Sequence, residues 1–288
     1  METVTSSDGT RIAYERSGGG PPLVLVHGAA GTHSRWAPVL PALEKRFTVY
    51  AVDRRGRGES GDNEPYAIER EFEDVAAVVD SVGEPVSLLG HSFGAVCALE
   101  AAMFTRNIRR LILHEPPHPL PVEDILPDGI IDRLEALLDA GDREGVVAAF
   151  ALEVMRMPAE EFEAFKTLPA GQAAVAAANT LPRELQVRYR FEGARFSGMH
   201  APSLLLLGSE SPPFYAAATE TVAAALPESR IAVMPGAEHV AIYSAPEVFL
   251  KEVIGFLSEV AGGRPRRLPQ ERDEAVTLPL PGQAPGEL

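Results

Sequence analysis

The sequence has little of what several large classes of protein need. Its 288 residues include a single cysteine, Cys97, so no disulfide can form within the chain and nothing demands an oxidising compartment. No apolar run approaches the ~20 residues of a membrane-spanning helix. The first residues also lack the basic and apolar regions of a signal peptide. We therefore expect a cytoplasmic protein.

Positive charge is scarce as well. Lysine and arginine number 26 against 41 aspartates and glutamates, which gives a formal net charge of −15. Such an acidic chain repels phosphate groups, so we expect neither nucleic acid nor a membrane as a partner. Hydrophobic residues make up 45% of the chain, which is enough for one large α/β domain, or one domain with an inserted cap, to bury its own core. The composition leaves the oligomeric state open.

The most informative stretch is Gly-His-Ser-Phe-Gly at residues 90–94. An apolar run at 86–89 precedes it, and an apolar segment of helical character follows, at about 92–104. This order predicts a strand, a tight corner and a helix, with glycines beside Ser92 because a Cβ there would collide with the crossing of strand and helix. The corner exposes the Ser92 hydroxyl and directs the Phe93 N–H toward whatever that hydroxyl attacks.

This Gly-x-Ser-x-Gly pattern resembles the nucleophile elbow of the α/β-hydrolase superfamily. The resemblance implies an α/β fold with a mostly parallel eight-stranded sheet flanked by helices, and Ser92 as the nucleophile. The superfamily also places a His-Gly-x element after an early buried strand, and here His27-Gly28-Ala29 follows the apolar run at 23–26. The Ala29 N–H would then complete an oxyanion hole with that of Phe93, while His27 is predicted to be a structural hydrogen-bonding residue.

His239 is the candidate base. A serine hydroxyl is a poor nucleophile at neutral pH unless a base lies within hydrogen-bonding distance. His239 follows the last predicted strand, at 231–234, in a Gly-x-x-His setting. The superfamily places its catalytic histidine there, after the nucleophile in the chain, so the resemblance pairs His239 with Ser92.

The acid that would orient His239 is left open between two glutamates. The usual position in the superfamily, Gly-x-x-Asp after the seventh strand, reads Gly-Ser-Glu-Ser at 208–211, so Ser211 takes the place of the aspartate and Glu210 comes one residue early. Glu115 directly follows the predicted strand at 109–114. Certain haloalkane dehalogenases and fungal lactonases that act on zearalenone carry a glutamate acid at that position. We favour Glu115, with Glu210 as the alternative acid.

The alternation of strands and helices stops after this sixth strand. Residues 120–198 have helical patterning without a strand, and in this superfamily such an insertion forms a helical cap over an apolar pocket. Its helices are predicted at 124–139, 142–157, 159–168 and 171–190. The hydrolase core is then expected at 1–119 and 199–262. Residues 263–288 are rich in proline and glycine and are predicted to be a flexible tail.

These residues together predict a cofactor-free serine hydrolase that cleaves a carboxylic ester or a lactone through an acyl-Ser92 intermediate. The small-molecule substrate is expected to be apolar, with Trp36, His91, Met155 and Val240 as candidate pocket residues. No metal is expected, and no Gly-x-Gly-x-x-Gly motif follows the first parallel strand, at 23–26, to indicate a dinucleotide. A thioesterase or C–C bond hydrolase with the same triad and a non-catalytic ligand-binding homologue remain alternatives.

Overall fold

A single eight-stranded sheet organises the fold. The computed structural model of the chain describes residues 1–117, 126–187 and 189–259. The strands are β1 (Glu2–Thr5), β2 (Arg11–Gly18), β3 (Pro22–Val26), β4 (Thr48–Val52), β5 (Val86–His91), β6 (Ile108–His114), β7 (Ser203–Gly208) and β8 (Ser229–Met234). Their order across the sheet is β1-β2-β4-β3-β5-β6-β7-β8. The pairs β1–β2 and β2–β4 are antiparallel and the other pairs are parallel, which confirms the predicted fold class.

Helices cover both faces of this sheet. The α-helices are α1 (Leu40–Leu43), α2 (Ile68–Ser81), α3 (Phe93–Ala101), α4 (Ile130–Asp139), α5 (Arg143–Ala149), α6 (Ala159–Phe165), α7 (Pro169–Ala176), α8 (Leu181–Leu185), α9 (Pro213–Ala225), α10 (Ala241–Ser244) and α11 (Pro246–Leu257). Side chains alternate along each strand, so Val24 of β3 packs in one core cluster with Phe72 of α2, and Leu25 packs in the other with Phe249 of α11. This two-sided burial explains why β3 is apolar throughout.

Between β6 and β7 the chain forms a group of helices, which we call the helical insertion and define as residues 126–187 and 189–198. It carries α4 to α8, a π-helical turn at Phe150–Val154 that continues α5, and no strand among its described residues. Its apolar side chains form a third core cluster that includes Leu134 and Phe150. The continuous helix predicted over 171–190 is wrong, because α7 ends at Ala176 and Pro182 belongs to the first turn of a new helix, where proline is tolerated.

Two parts of the predicted domain organisation lie outside the described residues. These are the start of the predicted cap, at 120–125, and the predicted tail, at 263–288. No helix within the described ranges is both long and apolar enough to cross a lipid bilayer.

Candidate active site

Ser92 lies at a strained corner between β5 and α3. Its φ of 55° and ψ of −127° are rare for a residue with a side chain. The Ser92 N–H donates a hydrogen bond to the His114 carbonyl at 2.8 Å, which ties the corner to the end of β6. A Cβ on Gly90 would lie 2.3 Å from the Gly94 carbonyl oxygen, and one on Gly94 would lie 2.3 Å from that of His27. The close crossing of strand and helix therefore requires both glycines, for the reason that the sequence suggests.

Glu115 is the carboxylate that the fold brings to His239. The His239 Nδ1 lies 2.6 Å from Glu115 Oε2, and the Gly208 N–H donates to Glu115 Oε1 at 2.7 Å. Glu115 is fully buried and takes a positive φ of 47° at the end of β6. Burial acts to raise the pKa of Glu115, but the hydrogen bond and the charge of His239 outweigh it and lower that pKa. Glu115 is therefore an anion at neutral pH.

The alternative acid, Glu210, does not reach His239. Its side chain is exposed and accepts a hydrogen bond from the Ser209 hydroxyl at 3.0 Å. Ser211, which occupies the usual place of the acid, lies beside the Glu115 carboxylate and helps to lower its pKa. Of the two glutamates that the sequence offers, the structure places Glu115 against the histidine.

The imidazole of His239 is fixed by aromatic rings and by its backbone. The Tyr215 ring stacks on it with centroids 4.1 Å apart and an interplanar angle of 12°, and the His91 ring lies 4.8 Å away on a tilted plane. The His91 Nε2–H donates to the His239 carbonyl at 2.9 Å. Burial lowers the pKa of His91 well below its usual range, so this neighbour is neutral. Within the described residues His239 Nε2 has no hydrogen-bond partner, so it can accept a proton.

Two backbone N–H groups near Ser92 are free to donate. Phe93 begins α3, and neither its N–H nor that of Ala29 has a partner among the residues that the structure describes. The loop that carries Ala29 passes so close to the corner that a Cβ on Gly28 would lie 2.9 Å from the Ser92 Cβ. Free N–H groups at the start of a helix stabilise negative charge.

The loop after β4 holds the Ala29 loop in place. The Arg54 N–H donates to His27 Nε2 at 3.1 Å, and the Arg54 guanidinium donates to the Gly28 carbonyl at 3.2 Å. Arg54 is itself bonded to Glu71 of α2 at 2.7 Å and to Glu184 of α8 at 2.5 Å. This buried ion-pair cluster connects the helical insertion to the loop beside Ser92. Because the His27 Nε2 accepts a hydrogen bond there, His27 has the structural role predicted for it.

Two cavities open at Ser92 and share Ala29, Phe150 and Met155. The first is the apolar cavity; its other lining residues are Phe93, Pro117, Leu126, Val154, Glu184, Leu185, Phe214 and Tyr215. The second is the Arg35 cavity; its other lining residues are Gly28, Ala30, Arg35, His91, Val147, Ala151, Met157, Phe165, Ala174, His239 and Val240. Both lie between the sheet ends and the helical insertion.

Three of the four predicted pocket residues line these cavities. Met155 lines both, and His91 and Val240 line the Arg35 cavity. Trp36 does not line either one. It ends the 3₁₀ turn His33–Trp36, and its fully buried indole packs in the core cluster on the α11 face of the sheet.

The sequence analysis missed two residues of the site, Tyr215 and Arg35. Tyr215 lies in the first turn of α9, and its ring stacks on that of His239. Arg35 lies one residue before Trp36 and lines the Arg35 cavity, whereas Trp36 packs in the core. Neither position carries a motif, and only the two prolines at 212 and 213 mark a helix start near the site. In the described ranges no three His, Cys, Asp or Glu side chains are arranged to hold a metal ion.

The strand order and a serine at a strained strand–helix corner, with a histidine and a glutamate beyond β8 and β6, define an α/β hydrolase architecture. A sequence model of the alpha/beta hydrolase family matches residues 23–252, so the chain belongs to that family.

Several known proteins similar to this chain are named as hydrolases or esterases. An alpha/beta hydrolase from Sphaerobacter thermophilus DSM 20745 is 36% identical, with a TM-score of 0.77 over 89% of this chain and all of that one. The 2-(acetamidomethylene)succinate hydrolase of Mesorhizobium japonicum is 26% identical, and the match covers 85% of this chain and 91% of that protein. An esterase from Rhodococcus sp. ECU1013 is 24% identical with a TM-score of 0.72, over 90% of this chain and 98% of that one, and this likeness concerns the fold alone.

Proposed function

We propose that the protein is a serine hydrolase that cleaves a carboxylic ester or a lactone through an acyl-Ser92 intermediate. The observation that carries the proposal is the 2.6 Å contact between Glu115 and His239 Nδ1. It fixes the tautomer in which Nδ1 carries the proton and Nε2, without a partner among the described atoms, can act as a base. Ser92 and His239 line the same cavity.

In the first half-reaction the Ser92 Oγ attacks the substrate carbonyl carbon while its proton moves to His239 Nε2. Glu115, buried and ionised, stabilises the imidazolium that forms. The carbonyl oxygen becomes an oxyanion and accepts hydrogen bonds from the N–H groups of Ala29 and Phe93. Losing one such donor typically costs ~3 kcal/mol of barrier height. The carbonyl–oxygen bond then breaks, and the leaving alkoxide takes the proton from His239.

The second half-reaction repeats these steps with water. His239 Nε2 removes a proton from the water, whose oxygen attacks the acyl carbon, and the proton returns to Ser92 Oγ as the acid is released. Every step uses groups of the chain itself, so the proposed reaction needs no cofactor. We also propose that the helical insertion acts as a cap, since its residues Phe150 and Met155 line both cavities beside Ser92.

The hydrolases named above support hydrolysis as the reaction class, but they do not identify the bond that this chain cleaves. The name of the Mesorhizobium protein assigns it a hydrolase activity on a succinate derivative, and this supports the reaction class for the present chain. The lack of an aspartate at the usual position after β7 would be consistent with a non-catalytic, ligand-binding protein. Glu115 supplies a buried carboxylate in place of that aspartate, which favours the catalytic interpretation.

The test is the intact mass of the protein after incubation with a small fluorophosphonate, beside a Ser92→Ala control. We expect a single adduct on the wild type and none on Ser92→Ala. Turnover of short-chain 4-nitrophenyl esters, matched lactones and acyl-thioesters then identifies the bond. An unlabelled wild type that also turns over none of these compounds would contradict the proposal, and activity confined to thioesters would assign the thioesterase alternative.

A further inference from the structure

A cation lies in the wall of the cavity where the proposed reaction takes place. Arg35 belongs to the 3₁₀ turn His33–Trp36, is half-buried, and lines the Arg35 cavity together with Ser92 and His239. The rest of that lining is mainly apolar, with Val147 and Phe165 of the helical insertion opposite. An arginine in such surroundings loses water that its charge would otherwise retain.

No carboxylate of the described chain compensates this charge. The guanidinium makes no hydrogen bond or ion pair with the described residues, and its contact is the Tyr243 ring, whose centroid lies 5.2 Å from the Arg35 Cζ. Burial accordingly lowers the pKa of Arg35, with only Tyr243 acting against that change. Burial lowers the pKa of His91 and of His114, and the charge of Arg35 adds to that effect in both.

The fully buried arginines near the site are paired, unlike the half-buried Arg35. Arg54 is bonded to Glu71 and Glu184, and Arg55 is bonded to Asp74 at 2.7 Å. A cation that loses part of its hydration without gaining a partner is costly, and the chain has 41 acidic residues from which a partner could come. Arg35 is therefore a cation in the cavity wall for which the described chain supplies no anion.

We propose that Arg35 binds a carboxylate of the substrate, so that the enzyme acts on esters or lactones that carry a free carboxylate group. The inference rests on the proposed function, because it names the substrate class of the same site. The planar guanidinium suits a carboxylate, to which it donates two parallel hydrogen bonds. The Tyr243 ring supports its face, and the apolar wall formed by Phe150 and Met155 accommodates the carbon chain between the two groups. The substrate then carries a charged group, whereas the sequence predicts an apolar substrate.

The test compares esters that differ only in one charge. One pair is 4-nitrophenyl hydrogen glutarate and its neutral methyl ester, with the charge on the acyl side. The other is 4-acetoxybenzoate and its methyl ester, with the charge on the leaving group. For at least one pair we expect the wild type to prefer the anion. Arg35→Gln should lower kcat/KM for that anion by about 10- to 100-fold and for the neutral ester by less than about threefold.

Two variants make the comparison specific. Arg16→Gln removes the same charge from an exposed residue of β2 and should leave both ratios unchanged. Arg35→Lys keeps the charge but not the two parallel bonds, and should fall between the wild type and Arg35→Gln. An equal loss for charged and neutral esters in Arg35→Gln, or a wild type that prefers the neutral ester in both pairs, overturns the inference.

A binding experiment separates this inference from the proposed function. Calorimetry with glutarate should show binding to the wild type and to Arg16→Gln, and at least tenfold weaker binding to Arg35→Gln. Fluorophosphonate labelling of Ser92 is read in the same samples. Labelling without Arg35-dependent glutarate binding or ester preference leaves the hydrolase in place and overturns the carboxylate site. Arg35-dependent binding without labelling and without turnover of any of these esters supports the carboxylate site and contradicts the hydrolase.

Discussion

The carboxyl ends of β6 and β7 each present a glutamate, and the two are treated very differently by the fold. Glu115 follows β6 directly, is fully buried and lies 2.6 Å from His239 Nδ1. Glu210 follows β7 by two residues, is exposed, and is hydrogen-bonded by its neighbour Ser209. Residue type is identical at the two ends, so position relative to the sheet decides which carboxylate can serve the histidine.

The sheet itself holds Glu115 in position. The Glu115 N–H donates to the Leu206 carbonyl at 3.1 Å, which extends the pairing with β7 one residue beyond β6. The Gly208 N–H then donates to the carboxylate. The end of β7 thus supports the acid of β6 instead of supplying one, with Ser211 in the place where an aspartate is usual.

The sharpest way to break this comparison is to neutralise each glutamate in turn. Glu115→Gln should lower kcat/KM on the best ester by about 10³- to 10⁴-fold, because the amide NH₂ would face Nδ1 and favour the tautomer whose Nε2 carries the proton. Glu210→Gln should stay within about twofold of the wild type, since Glu210 contacts no residue of the site. Steady-state kinetics on both variants measure the contrast.

Circular dichroism serves as the control for folding in both variants. If Glu115→Gln kept the wild-type rate, or if only Glu210→Gln lost most of its activity, the triad acid would have to be assigned to Glu210 at the end of β7. That result would also contradict the tautomer that the proposed mechanism requires.

A second change moves the acid from one strand end to the other. In Glu115→Gln/Ser211→Asp the new carboxylate would lie at the usual position after β7, next to the amide that replaces the Glu115 carboxylate. We expect it to recover about 10- to 100-fold of the activity that Glu115→Gln loses, because Ser211 already lies next to the Glu115 carboxylate.

The single variant Ser211→Asp is the matched control for this relocation. Two carboxylates in one buried place disfavour each other's ionisation, so activity should fall below that of the wild type. A double variant no faster than Glu115→Gln, measured with the same ester, would mean that the end of β7 cannot direct a carboxylate to His239.

Motifs with a fixed relation to the sheet could be predicted from the sequence. The corner at Ser92 and the eight strands follow from apolar runs, glycines and turn residues, because these are local requirements of the backbone. The strand that ends just before Glu115 favours this residue over Glu210 in the sequence, and the structure places its carboxylate 2.6 Å from His239 Nδ1. The sequence alone could not settle the choice, since the distance to His239 depends on the register of β6 against β7.

Contacts between segments that are distant in the chain could not be predicted from the sequence. Tyr215 stacks on His239 only because α9 starts beside the loop after β8, and no local pattern encodes that approach. Arg35 is one of 26 basic residues, and what distinguishes it is the lack of a described partner, which is a property of the folded chain. Trp36 shows the converse error, since the prominence of a lone tryptophan suggested a pocket and the fold uses it in the core.

The smallest expected effect is on stability in acid, and it also separates the two glutamates. The pKa of Glu115 in the folded protein lies below its ordinary value of 4.5, so its contribution to stability is present above that pH and is lost as the pH falls through the folded-state pKa. At pH 5 Glu115→Gln should be less stable than the wild type by about 1–3 kcal/mol, the usual range for a hydrogen bond to a charged group. At pH 3.5 the difference should be smaller. Urea unfolding at the two pH values measures it, with the exposed Glu210→Gln as the control that stays near wild type at both. A gap that widens in acid would show that Glu115 is protonated in the folded protein, which the contact with His239 argues against.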